Sequence, residues 1–573
     1  MSPRGAFWLL LILSAVLRFA VPGTPPGLHI DEASNAWNAK CLGQTMFDEH
    51  RAMLPVFYTR AFNDNRSPMF LYLAAPFEMA LGYGGVRWPA FLGGIAATLL
   101  LWQWVRRLAG ERAGLIAGLI WAIDPTFVQF TRWGHEASIT PALVLGAMCL
   151  WQRAGLLWTR EEMLPAKPLR WAFVAGVFGG FACYGYASVR LYLPVLLAAS
   201  VLLGRGATLR PNVRRWAAAA AGFLLLFGPL LYVHLTDPAI NERARQTWTW
   251  EPDDSLPTAA GKVALRYVRH FDPQFLFLRG TADPLLSTLA PPPPFGALPW
   301  VWAPLLLFGL FAATRQCRTD RLARLALVAL AAYPAGDVLN ALGPPNVLRS
   351  LVGWWAFALL IATGIVWVAR TTHATPDAAA EVADASGRIR GLRRGGIGAP
   401  SILLGVLTLL AAAPNLAVLL LRWGTEPAQQ IARGVDFERA CAVIRPIVSD
   451  YDAVVFTTTD AKYTYPQVLC FLDYSPQKFL TQPIARAHVT DTRRVVPDLL
   501  ANTGPLYFRH DGKDMPAFID QAVTAGLRGK TLWVLRPTDP PRSPDDRVLQ
   551  TIDLSDGTPS LVIREHRRQA DGR

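Results

Sequence analysis

The sequence predicts an α-helical multispanning membrane protein, about eleven spans, with a small α/β domain at its C-terminal end. Three observations carry that reading. Eleven apolar segments punctuate the chain, the arginines between them crowd into alternate connections, and the composition suits a bilayer. Over 573 residues, 52% are hydrophobic and 17% charged, too apolar and too charge-poor for a soluble chain of this size. Twenty tryptophans suit membrane interfaces, where an amphipathic ring is favoured. A net charge of +14 would point to nucleic acid in a soluble protein. Here loop arginine accounts for it, so no nucleic-acid partner is expected.

The spans fall at residues 7–22, 88–105, 113–130, 138–151, 171–187, 189–203, 216–235, 298–314, 322–340, 350–369 and 401–421. At about 1.5 Å per residue the shorter ones only just cross a core of roughly 30 Å. Their helices must extend past these limits, or the bilayer thins around them. The first segment follows Arg4 as a signal peptide would, but it lacks a small-residue cleavage site and carries Arg18. It reads as a retained first helix.

Orientation follows from the connections. Arg106, Arg107 and Arg112 fill one, and Arg153, Arg160, Lys167 and Arg170 the next alternate one. Arg205, Arg210, Arg214 and Arg215 follow, then Arg315, Arg318, Arg321 and Arg324, then Arg370, Arg388, Arg390, Arg393 and Arg394. All five lie on one side, the cytoplasmic side of an inner (plasma) membrane, together with the N-terminus. Reporter fusions at Ala380 and after Gly572 should therefore give opposite signals. Matching signals would overturn the orientation.

The other connections lie outside. Two are long, residues 23–87 and residues 236–297, the second including the run Pro291 to Pro294. Residues 425–573 form an outer domain beyond the membrane domain of residues 1–424. Its apolar runs 453–456 and 532–535 read as strands and 437–448 as a helix, hence a small α/β domain. The inside loop 371–398 is rich in Ala, Asp, Gly and Arg without apolar periodicity and reads as a flexible linker. The six cysteines show no metal-ligand spacing, and no CxxC, HExxH or Walker motif is present. Cys441 and Cys470 both fall in the outer domain, where oxidation is permitted, leaving a disulfide or two buried thiols.

The first outer loop holds the most chemistry. His29-Ile30-Asp31-Glu32-Ala33 follows the first span, then Asp48-Glu49-His50-Arg51, then Asn63-Asp64-Asn65-Arg66-Ser67-Pro68. Residues 69–81 read as an amphipathic helix at the outer interface, because Pro76 and Glu78 interrupt the run and a twelfth span would invert the arginine asymmetry. Asp31 and Glu32 are either a solvated cap or a general base at the membrane surface, where partial desolvation raises basicity. No cofactor is required, although an acidic loop of this kind can hold a divalent cation through Asp48, Glu49 and His50.

Five arginines break the topological rule. Arg18 lies late in the first span, Arg132 ends the third, Arg190 starts the sixth, Arg349 precedes the tenth, and Arg66 stands before the interfacial helix. A cation at such depth needs a partner or a ligand. The candidates are Glu136, Asp337 and backbone carbonyls on one side, and an anion such as phosphate on the other, which suits the guanidinium's planar fork.

Asp31-Glu32-Ala33, Asp48-Glu49-His50, Arg66-Ser67-Pro68 with Tyr72, and Val86-Arg87-Trp88-Pro89 together resemble the first loop of GT-C glycosyltransferases. These include the protein O-mannosyltransferases and the lipid A aminoarabinose transferase. Phe130-Thr131-Arg132, Tyr184-Gly185-Tyr186 with Arg190-Leu191, the run from His270 to Gly280, and Val347-Leu348-Arg349-Ser350 extend the resemblance over residues 7–370. It implies a GT-C-like fold and transfer of a sugar, with inversion, from a polyprenyl-phosphate carrier to a lipid, glycan or protein acceptor on the outer face. It further implies Asp31 as the base on the acceptor and Arg66, where relatives often have Lys, as a ligand of the donor phosphate. Glu32 beside that base is the second candidate catalytic carboxylate, and Arg132, Arg190 and Arg349 are candidate phosphate ligands by their place at the outer ends of the spans. Asp48, Glu49, His50, Tyr72 and Tyr186 would contact substrate. Two departures stand out: Ser67 where relatives often have Pro, and Thr281 with Leu285-Leu286 where they often have an Asp and an Arg-His pair. A lipid or sugar transporter, or a non-catalytic assembly protein, would share the spans. A transporter should show internal repeats, which the sequence lacks, and an assembly protein has no use for outer arginines beside Asp31.

Overall fold

The computed structural model describes residues 2–19, 25–61, 64–156, 165–203, 213–280, 296–341, 343, 345–371, 399–458, 461–481, 495–496, 506–510, 529–539 and 544–567. The stretch Pro291 to Pro294, Thr281 with Leu285 and Leu286, and the linker 372–398 lie outside the described residues. Contacts divide the chain into two compact units. The first joins Met1–Ala20, Ala90–Arg132 and Glu136–Leu420, and the second joins Val21–Pro89, Trp133–His135 and Leu421–Arg573.

The main helices in chain order are α1 (Pro3–Phe19), α2 (Ile30–Thr45), α3 (Met69–Leu81), α4 (Trp88–Ala109), α5 (Glu111–Ile123), α6 (Thr140–Arg153), α7 (Pro168–Ala182) and α8 (Ala187–Leu203). There follow α9 (Val213–Thr236), α10 (Leu256–Arg269), α11 (Trp302–Gln316), α12 (Arg321–Ala332), α13 (Trp355–Thr371), α14 (Ala399–Ala417), α15 (Val435–Ile444) and α16 (Ala461–Phe471). Each of the eleven apolar segments contains helix over much of its described length. Among the described residues, three stretches are long and apolar enough to cross a membrane by length and composition: Met69–Ala109, Val213–Thr236 and Ile402–Arg422. A fourth is formed if Val347–Gly353 and Trp355–Arg370, bent by 50°, make one span. Pro76 does not interrupt α3, which runs on through a six-residue 3-10 turn, Gly82–Arg87, into α4.

In the first unit small residues bring helices together. A Cβ on Gly176 of α7 would stand 1.9 Å from the Ala219 carbonyl oxygen of α9, and one on Gly222 would stand 2.3 Å from that of Phe173. Backbone meets backbone there, so neither glycine can be enlarged, which is the usual way to gain dispersion where lipid supplies no hydrophobic drive. The connection 236–297, expected as an outer loop, contains α10. Its Ser255 cap accepts from the Thr258 amide and Pro257 occupies its first turn, both favourable at a helix start.

The second unit holds two sheets. Strands β1 (Thr59–Ala61) and β2 (Asp64–Arg66) form a three-pair hairpin. Strands β3 (Ala453–Thr458), β4 (Val495–Val496), β5 (Leu506–His510), β6 (Lys530–Leu535), β7 (Arg547–Asp553) and β8 (Pro559–Arg567) form a sheet of order β4-β5-β3-β6-β8-β7. β3 pairs parallel with β5 and β6, and the remaining pairs are antiparallel. The α/β character expected for this region is present. Its two central strands were legible because both faces are covered, so they read as unbroken apolar runs. β7 and β8 hold only short apolar runs among polar and charged residues, and they escaped notice. All six cysteines are free thiols, Cys441 and Cys470 among them, both buried.

Candidate active site

Everything in the second unit's polar centre is arranged around the start of α2. Gly27 enters it with φ +63°, and a Cβ there would stand 2.3 Å from the Arg433 carbonyl oxygen. The Leu28 amide donates to that same oxygen at 2.8 Å, and the Gln467 amide side chain donates to the Leu28 carbonyl at 2.7 Å. His29 then caps the helix reciprocally. Its Nδ1 accepts from the Asp31 amide at 3.3 Å, while its own amide donates to Glu32 at 3.2 Å. This is a capping box built with histidine, and it sets two carboxylates at the positive end of the helix.

Those neighbours have opposite surroundings. Glu32 is fully buried. Its Oε1 accepts from Arg87 Nε at 2.7 Å and the Gly134 amide at 2.9 Å, and its Oε2 accepts from Arg433 Nη1 at 3.0 Å and the His29 amide. Burial pushes its carboxyl up, but Arg87 and Arg433 outweigh that and hold it at about 2. Every lone-pair direction is taken, so Glu32 positions the site.

Asp31 is 20% exposed and meets Arg66, whose Nη2 donates to Oδ1 at 2.5 Å. Its other oxygen lies 3.6 Å from His29 Nδ1. Burial alone would raise the Asp31 carboxyl. Arg66, then His29 and His135, override it and hold the carboxyl well below the usual carboxylate range. Burial drives the His29 imidazole the other way, down to about 4. The Trp133 ring bridges the two histidines, 5.1 Å from His29 and 4.7 Å from His135 between centroids. Asn35 of α2 donates to the Gly134 carbonyl at 3.0 Å and so fixes that short segment against the helix.

Arg66 is aimed by a relay. Asp48 Oδ1 accepts from the amides of His50 and Ala52 at 2.9 and 2.8 Å, and its Oδ2 accepts from the Thr59 hydroxyl at 2.8 Å. Thr59 pairs directly across the hairpin with Arg66. Asp48 thus organises the loop that delivers the guanidinium. Glu49, also buried, accepts from the Tyr465 hydroxyl at 2.5 Å and lies 3.7 Å from His50 Nε2. Tyr72, part-exposed, donates to the Pro55 carbonyl at 2.9 Å. Among the described residues no group of three or more His, Cys, Asp or Glu side chains is placed to hold a metal ion.

The remaining arginines belong to the first unit, each in its own setting. Arg132 donates from Nη1 to the Leu17 and Arg18 carbonyls at 2.9 and 3.0 Å, capping the end of α1. Arg190 donates to the Cys183 carbonyl at 3.1 Å and to His234 Nε2 at 2.7 Å. The opposite nitrogen of that ring, Nδ1, faces the Leu230 carbonyl at 2.8 Å, which makes it the protonated one and Nε2 the acceptor. Part-exposed Tyr186 begins the same turn. Arg349 Nη1 reaches Asn340 at 2.7 Å and Asp337 at 3.3 Å. Asp337 is fully buried and also receives Arg266 at 2.7 Å and the Asn346 amide at 3.0 Å, with His270 Nε2 at 3.2 Å. Two guanidinium groups on one carboxylate leave an excess of positive charge at part-exposed Arg349.

Of the residues the sequence singled out, Asp31, Glu32, Arg66, Asp48, Glu49, His50 and Tyr72 all fall in one unit, and Asp31 and Arg66 touch. Sequence reasoning passed over Arg266, although an arginine in a connection expected outside breaks the same topological rule as Arg349. It passed over His135 too, which sits among titratable residues between two apolar segments. Arg433 carries no signal at all. It lies 401 positions from its partner Glu32.

Residues 65–233 match the family model described as dolichyl-phosphate-mannose-protein mannosyltransferase. Among solved structures the chain is similar to ArnT from Cupriavidus metallidurans in the apo state, at 13% identity and TM-score 0.56 over 98% of each chain. It is also similar to ArnT from that organism bound to undecaprenyl phosphate, at 13% identity and TM-score 0.51 over 100% of both. The archaeal oligosaccharyltransferase AglB from Archaeoglobus fulgidus, in complex with an inhibitory peptide and a dolichol-phosphate, matches at 14% identity and TM-score 0.47, over 82% of this chain and 63% of its own. No curated protein sequence matches.

Proposed function

We infer that this chain is a glycosyltransferase of the GT-C superfamily, a reading that its family match and its fold support, and that it moves a sugar from a polyprenyl-phosphate carrier to an acceptor hydroxyl on the outer membrane face, with inversion. The observation that carries the reading is the Asp31–Arg66 contact: an acidic and a basic group, both partly open to solvent, on the loop after the first helix. In the reaction the acceptor oxygen forms a bond to the anomeric carbon, and its proton passes to Asp31. The bond from that carbon to the phosphate oxygen breaks, and its electron pair leaves on the phosphate. Phosphate departs readily once its charge is balanced, which is the work of Arg66 in this reading, with Arg132, Arg190 and Arg349 as the further candidates by sequence. Glu32 holds the frame, Asp48 and Glu49 shape the loop, and His50, Tyr72 and Tyr186 are left to contact substrate. The arginine pattern supports an inner-membrane orientation with residues 425–573 outside.

Purified protein incubated with labelled polyprenyl-phosphate sugars and membrane extract should transfer label to a lipid, glycan or protein. Label that crosses vesicles while staying on the carrier would favour transport and defeat the reading.

The arginines give a second test. Replacing Arg66, Arg190 or Arg349 with Lys keeps the charge and loses the bidentate fork, and Ala loses both. Donor affinity should fall from wild type to Lys to Ala, with Ala costing on the order of 1.5–3 kcal/mol, or roughly ten- to a hundred-fold. Melting temperature measured on the same variants separates binding from folding. Unchanged donor affinity in all three Ala variants would end the phosphate-clamp reading.

A further inference from the structure

We propose that the Arg66–Asp31 contact is a latch that orders the reaction: Arg66 occupies the base until a donor phosphate draws the guanidinium away. The proposal rests on the reading of Asp31 as base and Arg66 as phosphate ligand, and adds that the two roles exclude each other in time. A carboxylate oxygen that already accepts a charge-assisted hydrogen bond is a poor proton acceptor, so the resting contact disarms Asp31.

Three features make this pair releasable where its neighbour is not. Arg66 meets Asp31 through one nitrogen and one oxygen, and their side chains are 15% and 20% exposed, so an incoming anion can reach them. Glu32, one residue on, is sealed at 0% exposure among two arginines and two amides and offers no such exchange. Arg66 also ends a hairpin of only three residue pairs, just before Ser67 and Pro68, so its side chain can swing without disturbing a large sheet. The donor phosphate, esterified to both sugar and carrier, keeps two non-bridging oxygens, and these match the guanidinium fork better than the one Asp31 oxygen does. The acceptor is then deprotonated only when the donor is in place. Once the carrier phosphate departs, Asp31 gives its proton to solvent and the pair re-forms.

The test uses full-length protein in detergent and undecaprenyl phosphate, which carries no sugar and so reports binding alone. Asp31→Asn leaves Arg66 a neutral oxygen in place of a charged one, which loosens the contact and should tighten binding about five-fold, although the same substitution removes the base. Arg66→Gln should weaken binding ten-fold or more. In the double variant the gain from Asp31→Asn should vanish, because nothing remains to release. A gain that persists in the Arg66→Gln background is simple charge repulsion and overturns the latch. Asp31→Asn with unchanged affinity, beside a weakened Arg66→Gln, overturns the latch while leaving Arg66 as phosphate ligand. Unchanged affinity in Arg66→Gln overturns that assignment and the latch with it. Should Arg66→Gln fold poorly by its melting temperature, Arg66→Met, likewise uncharged, takes its place in the cycle.

Discussion

Asp31→Asn should lower sugar transfer by about 10²-fold or more, the usual contribution of a general base, while the protein expresses and melts as wild type does. The expectation of an intact fold comes from the contacts. The Asp31 amide anchors the cap through His29, and substitution leaves it in place. The side chain reaches Arg66 at a partly open position, and the asparagine carbonyl still offers that arginine an oxygen. What disappears is the ability to take a proton from the acceptor. Robust transfer by Asp31→Asn would refute the assignment.

Glu32→Ala should fail in the opposite manner, by unfolding the second unit. It strands Arg87 and Arg433, buried against a carboxylate that no longer exists, and frees the Gly134 and His29 amides. Breaking one partner out of a buried ion pair costs on the order of 3–5 kcal/mol. Limited proteolysis of the loop and the C-terminal region should detect it, together with a lower melting temperature. Acid should mimic the substitution. The Glu32 carboxyl is depressed from its ordinary 4.5 to about 2, so its stabilisation is complete above 4.5 and is lost as pH falls through about 2. Glu32→Gln should lack that part of the acid dependence. A Glu32→Ala protein that resists protease and melts normally, yet transfers no sugar, would move Glu32 from the frame into the chemistry.

The sequence disclosed these two carboxylates as a pair and could not tell them apart, because what separates them is non-local. Glu32 owes its burial to Arg433, and Asp31 its exposure to the end of a hairpin. Helices were legible wherever apolar runs exceeded a few turns, since burial in lipid or protein writes itself directly into composition. α10 was missed because it is amphipathic and sits in a connection expected to be polar. The arginines were flagged correctly as cations in need of partners. Which partner each would take depended on carbonyls and histidines such as Leu17, Cys183 and His234, whose positions follow from packing. The same is true of Asp48, whose acidic loop suggested a cation and whose oxygens instead receive two amides and a hydroxyl.

Glu32 waits a long time for Arg433. The helix that carries the carboxylate is made early, and the guanidinium that neutralises it is made 401 residues later. At about 5–20 residues per second, ribosomal synthesis leaves the pair unjoined for roughly 20 to 80 s. Gln467, Tyr465 and the Asp473 partner of Lys40 arrive later still. During that interval the nascent first loop has a charged cluster and no sheet domain to close it. A chain cut short before that last quarter would therefore carry Glu32 without Arg433 and the Leu28 carbonyl without Gln467, and the start of α2 would lack the contacts that close it.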